Sequence, residues 1–420
     1  MKNFHYVNNE LYCERVSLAT IAAEVGTPVY IYSQAEIETR AGAYKTAVST
    51  MPNADNSANN LVCYAVKANG NPSLMRLLGK AGLGADVTSG GELFLALHAG
   101  IAPDKIIYSG VGKTRHEIEA ALDANIRALH VESEMELEAI ADIATAREQV
   151  VSIGVRVNPN ISAETHPYIS TGQHAHKFGV PWPIAHKMLR FATTHPWLKP
   201  VSIAAHIGSQ IVDVAPFVEA AHFIADLATE LKSEGINLHY LDIGGGLGID
   251  YEGKGSPAIA EWLTAVSQPI TNAGFPVVVE PGRSIIGPTG LLLTQIVYTK
   301  QQGDKHFTIV DAGMNDLLRP TLYNAHHPIQ PVKQPTETNA QITNIVGPIC
   351  ETGDSLAKER PLSPTEAGEY LAILQAGAYG FAMGSNYNGR LRPAEVLVNG
   401  DDFTIIRKRQ RYENLLDGCL

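Results

Sequence analysis

One lysine follows a short apolar run and stands out as the residue best placed for covalent chemistry. The run "LVCYAV" (61–66) predicts a buried strand, and Lys67 comes next, just before a turn. Lysine is almost never fully buried unless it is paired, so the ordinary alternative is a side chain that reaches solvent. In a closed site, desolvation lowers the pKa of an amine, which can then condense with an aldehyde. The aldehyde cofactor used in this way is pyridoxal 5'-phosphate (PLP), which is therefore the predicted cofactor.

A glycine cluster in "LDIGGGLGIDY" (241–251) is the candidate cradle for the phosphate of such a cofactor. Gly244, Gly245 and Gly246 let backbone N–H groups approach an anion closely. The spacing is not that of a dinucleotide fingerprint, because Ile249 stands where the third glycine is needed. The alternative is an ordinary turn, but this cluster follows the seventh predicted strand, where barrel enzymes often hold phosphate.

Two further side chains at strand ends suit a pyridine ring. Glu280 in "VVVEPGR" (277–283) can keep the ring nitrogen protonated, which makes the ring a strong electron sink and favours decarboxylation over racemisation. His206 in "AAHIGSQI" (204–211) can stack on the ring, and Ser209 can donate to the phosphate. The alternative for His206 is a buried structural histidine.

The elements that position these residues alternate between short apolar runs and helix-like segments. Eight such units over about 250 residues are typical of a (β/α)8 barrel, whose active site lies at the carboxyl ends of the strands. The sequence therefore predicts an α/β fold with a PLP-binding barrel over residues 31–289. The predicted strands are Leu61–Lys67, Gly84–Ser89, Ile106–Ser109, Ala128–Glu132, Ser152–Asn158, Ser202–Ile207, His239–Gly244 and Phe275–Glu280.

The sequence pattern changes near residue 290. Strand-like runs separated by Gly, Pro and Asp turns replace the alternation of apolar runs and helix-like segments. "GLLLTQIVYTKQQ" (290–302) and "AEVLVNGDDFTIIRKRQ" (394–410) are examples. These patterns predict a second, mostly β domain made of residues 1–30 plus 290–420, with a strand contributed by the first segment.

Composition excludes several classes of function. The formal net charge is −11 and the pI about 5.7, which argues against nucleic acid or an anionic membrane as a partner. The first ten residues are polar, so we expect no signal peptide, and no apolar run reaches the roughly 20 residues of a membrane span. Cys13, Cys63, Cys350 and Cys419 are scattered, which favours a reducing cytoplasm over a disulfide framework.

The ordered set of motifs resembles the PLP-dependent fold-type III decarboxylases, and among them the branch that acts on diaminopimelate. The resemblance runs from about residue 30 to residue 396. It implies an alanine-racemase-like barrel, a C-terminal β domain and an active site shared across a homodimer. The motifs are "YAVKAN", "HPYISTG", "KFG", "HIGSQ", "DIGGGLG", "EPGR", "DAGMNDLLRPTLY", "GPICETGD" and "GAYG".

The resemblance assigns roles to residues at matching positions. Lys67 would carry the cofactor, and Cys350 from the partner subunit would protonate Cα; the alternative for Cys350, a buried structural cysteine, fits poorly with its polar neighbours. The cofactor-binding set would be Lys67, His206, Ser209, Gly244, Gly245, Gly246, Glu280, Gly282 and Tyr379. The substrate-binding set would be Arg283, Arg319, Tyr323, Glu351 and Tyr379.

The predicted reaction is decarboxylation of meso-2,6-diaminopimelate to L-lysine and CO2, the last step of lysine biosynthesis. Arginine pairs with a carboxylate in bidentate geometry, so Arg283 and Arg319 suit a substrate whose far end carries a carboxylate. The alternatives are another diamino acid (ornithine, arginine or carboxynorspermidine), an amino-acid racemase, or a PLP-binding protein without turnover. His166, His174 and His176 lie together without cysteines or clustered acids, so we predict no metal site.

Overall fold

The structure, a computed structural model, describes residues 3–51, 60–161, 177–335 and 339–420. The chain forms two compact units, one made of residues 40–249 and 256–284 and the other of residues 1–39, 250–255 and 285–420. The predicted domain boundaries, after residues 30 and 289, stay predictions. Within the described ranges, no helix combines the length and apolar character needed to cross a bilayer.

The first unit contains a closed barrel of eight parallel strands, which confirms the predicted fold class. Each strand pairs with the next along the chain, and Val277–Val279 closes the barrel by pairing with Leu61–Ala65. The strands are buried almost throughout, as expected for a parallel sheet covered on both faces. They are Leu61–Ala65, Gly84–Val87, Ile106–Tyr108, Ala128–Val131, Val151–Arg156, Leu198–Ala204, Tyr240–Asp242 and Val277–Val279.

Helices connect the strands, because parallel neighbours need a crossover. Several begin at side-chain caps: Ser89 and Ser133 each accept a backbone N–H, and Thr114 forms a capping box with Glu117. The single-turn helix Arg283–Ile286 follows the last strand. The longer helices are Gln34–Ser49, Pro72–Lys80, Gly90–His98, Arg115–Asp123, Glu134–Arg147, Trp182–Thr194, Ala215–Ser233 and Ile259–Asn272.

Most of the strands stop before the polar residues predicted to end them. The first barrel strand ends at Ala65, and Lys67 lies in the 3-10 turn Val66–Ala68, so Lys67 follows the strand and does not end it. The Ala65 N–H donates to the carbonyl of Pro281 rather than to a neighbouring strand, and the chain then turns. His206 and Glu280 likewise follow their strands. These side chains therefore lie on the loops at the carboxyl end of the barrel, where barrel enzymes place their active sites.

The second unit is mostly β, as predicted. Val29–Ser33 pairs antiparallel with Gly290–Gln302 and parallel with Ala394–Asn399, so an N-terminal strand lies among C-terminal ones. Its helices are Leu18–Val25 and the short Arg319–Tyr323. The remaining strands are Phe4–Val7, Glu10–Cys13, Val16–Ser17, Lys305–Val310, Ile329–Pro331, Gln341–Val346, Ser355–Leu362, Tyr370–Ile373 and Asp402–Arg407.

Candidate active site

Lys67 presents its amine at the mouth of the barrel. About 39% of its side chain is exposed, and Nζ lies 3.4 Å from Oδ2 of Asp86, whose side chain is fully buried. Asp86 was not among the predicted site residues. An acidic residue inside the apolar run "GADV" (84–87) was the one sequence feature that could have indicated it. The carboxylate holds the amine in place while part of the lysine side chain stays exposed.

The glycine cluster follows the seventh barrel strand and packs too closely for any side chain. A Cβ on Gly245 would lie 2.1 Å from the carbonyl oxygen of Glu280, and one on Gly246 would lie 2.3 Å from that of Gly208. Gly244 and Gly246 also have positive φ angles of 70° and 110°. The close approach therefore depends on glycine and brings this backbone against the loops that carry Ser209 and Glu280.

A cation and a hydroxyl lie together in the same barrel unit. Arg283, which is buried, donates from Nη2 to Oγ of Ser209 at 3.0 Å. The turn that carries Arg283 packs tightly, since a Cβ on Gly282 would lie 3.0 Å from Cβ of Ala68. Arg283, Ser209 and the glycine backbone offer the donor groups that a phosphate dianion needs.

His206 is an uncharged, flat ring in this site. Its Nδ1 accepts the backbone N–H of Gly245 at 3.2 Å, which leaves the proton of the neutral ring on Nε2. Burial, followed by the positive charges of Lys67 and Arg156, holds the pKa of His206 well below its usual range. A neutral imidazole fixed by the glycine loop is suited to stacking on a second ring.

Glu280 is a buried carboxyl group in acidic surroundings. The hydroxyl of Ser109 lies 3.5 Å from its Oε1. Burial, and then the charges of Asp242 and Asp86, hold the pKa of Glu280 well above its usual range. A buried acid of this kind gains most from a partner that brings an N–H and a positive charge.

These side chains fit PLP. Lys67 could supply an amine for the aldehyde, the glycine backbone with Ser209 and the nearby Arg283 could supply donors for the phosphate, and Glu280 could supply a carboxyl for the ring nitrogen. No described residue donates a hydrogen bond to the buried Oδ2 of Asp242. This oxygen therefore lacks a proton or a donor that a buried polar atom normally has. Among the residues predicted to bind the cofactor, close contacts join His206 to Gly244 and Gly245, and Gly245 to Glu280.

Arg319 lies in the second unit and is held rigidly. It is 4% exposed, its guanidinium lies 4.8 Å above the ring of Tyr251, and its Nη1 is 2.6 Å from Nε2 of His327. His327 Nδ1 is 2.9 Å from the carbonyl of Leu374, so Nδ1 carries the proton and Nε2 accepts from Arg319. The sequence predicted Arg319 but not His327. The role of His327 in holding Arg319 is visible only from its buried position beside the guanidinium.

Cys350 and Glu351 are exposed on a tightly held turn of the same unit. Asp354 accepts the backbone N–H groups of Met314 and Ile349, each at 2.7 Å. The Cys350 N–H donates to Oδ1 of Asn388 at 2.7 Å. A thiol presented from so rigid a turn is placed for contact outside its own loop, not for packing in a core.

Two other predicted residues in this unit, Tyr323 and Tyr379, are partly buried, and Tyr379 has a φ of 55°. The roles assigned to the residues of this second unit stay predictions. His166, His174 and His176 lie outside the described residues.

Comparison with known proteins gives one consistent family. The family described as "Pyridoxal-dependent decarboxylase, pyridoxal binding domain" matches residues 34–287. The diaminopimelate decarboxylase of Aquifex aeolicus is 47% identical over 416 residues, which cover 99% of this chain and 97% of that protein.

Solved structures agree with this match. The diaminopimelate decarboxylase of Helicobacter pylori complexed with L-lysine superposes with a TM-score of 0.90 at 41% identity, covering 95% of this chain and 98% of that one. That of M. jannaschii, in co-complex with L-lysine, gives 0.93 at 34% identity, covering 100% and 98%. Both similarities extend over the barrel and the β unit together.

The glycine cradle generates a test. Gly245→Ala places a methyl group against the Glu280 carbonyl, so we expect a loss of about 1–3 kcal/mol in the free energy of unfolding. We also expect PLP affinity, measured by fluorescence titration, to fall at least about tenfold, because the backbone must move away from the anion.

Gly42→Ala is the matched control. Gly42 lies in the helix Gln34–Ser49, and none of the described atoms comes within 4 Å of the place a Cβ would take. Alanine there should therefore raise stability by about 0.5–1 kcal/mol and leave PLP affinity unchanged. Equal effects at both positions would contradict a cradle that depends on glycine.

Proposed function

The chain belongs to the pyridoxal-dependent decarboxylases, and from this premise we propose that it converts meso-2,6-diaminopimelate to L-lysine and CO2. PLP is its cofactor. The observation that carries the proposal is the match along nearly the whole chain to relatives of one printed activity, diaminopimelate decarboxylase, at 40–47% identity.

The residues of the barrel unit account for cofactor binding. Lys67 holds the cofactor covalently through Nζ, and Asp86 orients that amine. Ser209, which accepts a hydrogen bond from Arg283, and the glycine backbone bind the phosphate, while His206 stacks on the ring. Glu280 binds the ring nitrogen. PLP, when bound, supplies the electron sink that accepts the electrons of the broken Cα–carboxylate bond.

The residues of the β unit account for selectivity and for the proton. Arg319 and Tyr323, with Arg283, bind the distal carboxylate of the substrate, and Glu351 binds its distal ammonium group. A bidentate guanidinium contact gives both geometry and energy to this choice. The hydrogen bond that Arg319 donates to His327 and its position over the ring of Tyr251 keep Arg319 in one orientation. Cys350 holds the proton that is delivered to Cα after CO2 leaves, and Tyr379 closes the site near the phosphate.

The assembly we propose is a homodimer in which Cys350 and Glu351 of the partner subunit complete each site. The exposure and rigid mounting of the Cys350 turn support this assignment. A cytoplasmic location is proposed on the acidic composition and the scattered cysteines.

Substrate selectivity is tested by CO2 release from the purified, PLP-supplemented protein. Five amino acids are compared: meso-diaminopimelate, L-ornithine, L-arginine, L-lysine and carboxynorspermidine. We expect release from meso-diaminopimelate alone, with one L-lysine formed per CO2. Release from another diamino acid would keep the chemistry but overturn the assignment of Arg283 and Arg319 to a distal carboxylate.

The covalent attachment is tested with Lys67→Ala, which should lose the visible absorbance of bound PLP on dialysis because no amine remains to hold the aldehyde. Lys80→Ala is the control, since Lys80 is an exposed lysine at the end of the helix Pro72–Lys80. Cofactor colour that survives extensive dialysis of Lys67→Ala would refute the role of Lys67.

The proton donor is tested with Cys350→Ala. Loss of a general acid lowers turnover by about 10²–10⁴-fold, while PLP absorbance should stay unchanged. Cys419→Ala, at the other exposed cysteine, is the control and should keep full turnover. Unchanged turnover in Cys350→Ala would remove this thiol from the mechanism.

The same variants test the shared site. Mixing inactive Lys67→Ala with Cys350→Ala protein should restore up to about a quarter of wild-type activity, because half of the dimers become hybrids with one intact site. No recovery after verified subunit exchange would show that each chain builds its site alone.

A further inference from the structure

Three ionisable side chains meet inside the barrel at the Glu280 carboxyl. They are His130, Asp242 and Glu280, all buried, and one side-chain N or O atom from each lies within 4.8 Å of the others. His130 and Asp242 stand on the strands Ala128–Val131 and Tyr240–Asp242, and Glu280 follows Val277–Val279. Neither His130 nor Asp242 has a part in the chemistry assigned above.

One carboxylate oxygen of Asp242 has no hydrogen-bond donor among the described residues. Oδ1 accepts the backbone N–H of Gly244 at 2.8 Å, whereas Oδ2 receives none from the described residues. One side-chain oxygen of Asp242 and one of Glu280 lie within 4.8 Å of each other. Two buried carboxylates this close repel each other, which favours a proton on one of the pair.

His130 is placed so that it adds no charge to the pair. Its Nε2 lies 3.2 Å from Oγ of Ser202 and 3.4 Å from the hydroxyl of Tyr240, which turns Nδ1 toward Oδ2 of Asp242 at 4.0 Å. Burial and the nearby cations lower the pKa of His130 to about 3. The cations are Lys113, Arg156 and Arg127. An imidazolium here would hold Asp242 as an anion, and a neutral ring does not.

Burial also disfavours a second negative charge on the pair. It raises the pKa of Asp242 to about 7, against the opposing effect of the Gly244 N–H, and it holds the pKa of Glu280 well above its usual range. One proton shared between the two carboxyls therefore satisfies the buried oxygens. The other charged or titratable groups that face the pair are Lys67, Asp86, Arg156, Cys63 and Tyr240.

We propose that Asp242 is a positioning residue that takes the proton of Glu280 when the ring nitrogen of PLP binds. The O–H bond on Glu280 breaks and an O–H bond forms at Oδ2 of Asp242, with no net gain or loss of a proton by the pair. Glu280 is left as a carboxylate that accepts two hydrogen bonds, one from the ring N–H and one from Asp242. The inference rests on the proposed function only through its cofactor.

The test compares two substitutions of Asp242 by their PLP affinity. In Asp242→Asn the amide oxygen can still accept from Gly244 and the amide N–H can donate to Glu280, as a protonated Asp242 would. Asp242→Ala has neither group. We expect Asp242→Asn to bind PLP within about threefold of wild type and Asp242→Ala at least about tenfold more weakly, from the lost bond to a charged group.

A second measurement counts protons. Calorimetric titration of PLP into the stripped full-length protein, in two buffers of different ionisation enthalpy, gives the number exchanged on binding. Asp242→Ala should release about one proton more than wild type, because Glu280 can no longer pass its proton to a neighbour. Asp316→Asn is the matched control, since Asp316 is a buried carboxyl of the other unit with its pKa likewise raised to about 7. It should match wild type in proton count.

The outcomes separate the possibilities. If Asp242→Asn weakens binding as much as Asp242→Ala, Asp242 acts as an anion and the proposal is overturned; if neither weakens it, Asp242 has no role at the nitrogen. Should Asp242→Ala fail to fold, judged by its thermal unfolding, the Asn variant and its proton count still decide. Wild-type protein that binds no PLP would instead remove the proposed function and this inference with it.

Discussion

The desolvation of charge inside the closed barrel is the constraint on which the rest of this structure depends. A carboxylate or an amine buried in a parallel barrel must be paired, protonated or hydrogen-bonded. Asp86 meets this requirement through Lys67, Asp242 accepts the backbone N–H of Gly244, and the raised pKa of Glu280 favours its protonated form. The same constraint that would destabilise an ordinary core prepares this one for a cofactor that brings an aldehyde and a ring nitrogen.

Backbone geometry determines where the charged and polar side chains of the barrel lie. The strands end before Lys67, His206 and Glu280, so these side chains lie on turns. The pairing of the sheet does not fix the conformation of these turns. The glycine loop then approaches two of these turns to within distances that exclude a Cβ. Close packing of backbone on backbone fixes the turns relative to one another, and this fixes the side chains that bind the cofactor.

The β unit uses hydrogen bonds for the same purpose. Asp354 accepts hydrogen bonds from two backbone N–H groups and so holds the Cys350 turn. His327, protonated on Nδ1, accepts a hydrogen bond from Arg319 and orients it. Buried polar networks of this kind rigidify the groups they hold, because each broken bond would leave an unsatisfied polar atom. Rigid placement suits a residue that must choose between substrates or deliver a proton.

The sequence by itself determined the fold class and the reaction family, because the period of apolar residues and the ordered motifs around Lys67, Gly245 and Glu280 are local signals. It also located all eight barrel strands, though it extended them past their carboxyl ends, the first one to Lys67, since an apolar run does not show where a turn begins. Only the tertiary structure brought His130, Asp242 and Asp86 to the site. Each stands on a different strand, and although Asp242 opens the motif "DIGGGLG", no sequence pattern pairs these three residues; barrel closure makes them neighbours. Protonation states depend on burial and on charges distant in sequence, so they were decided there as well.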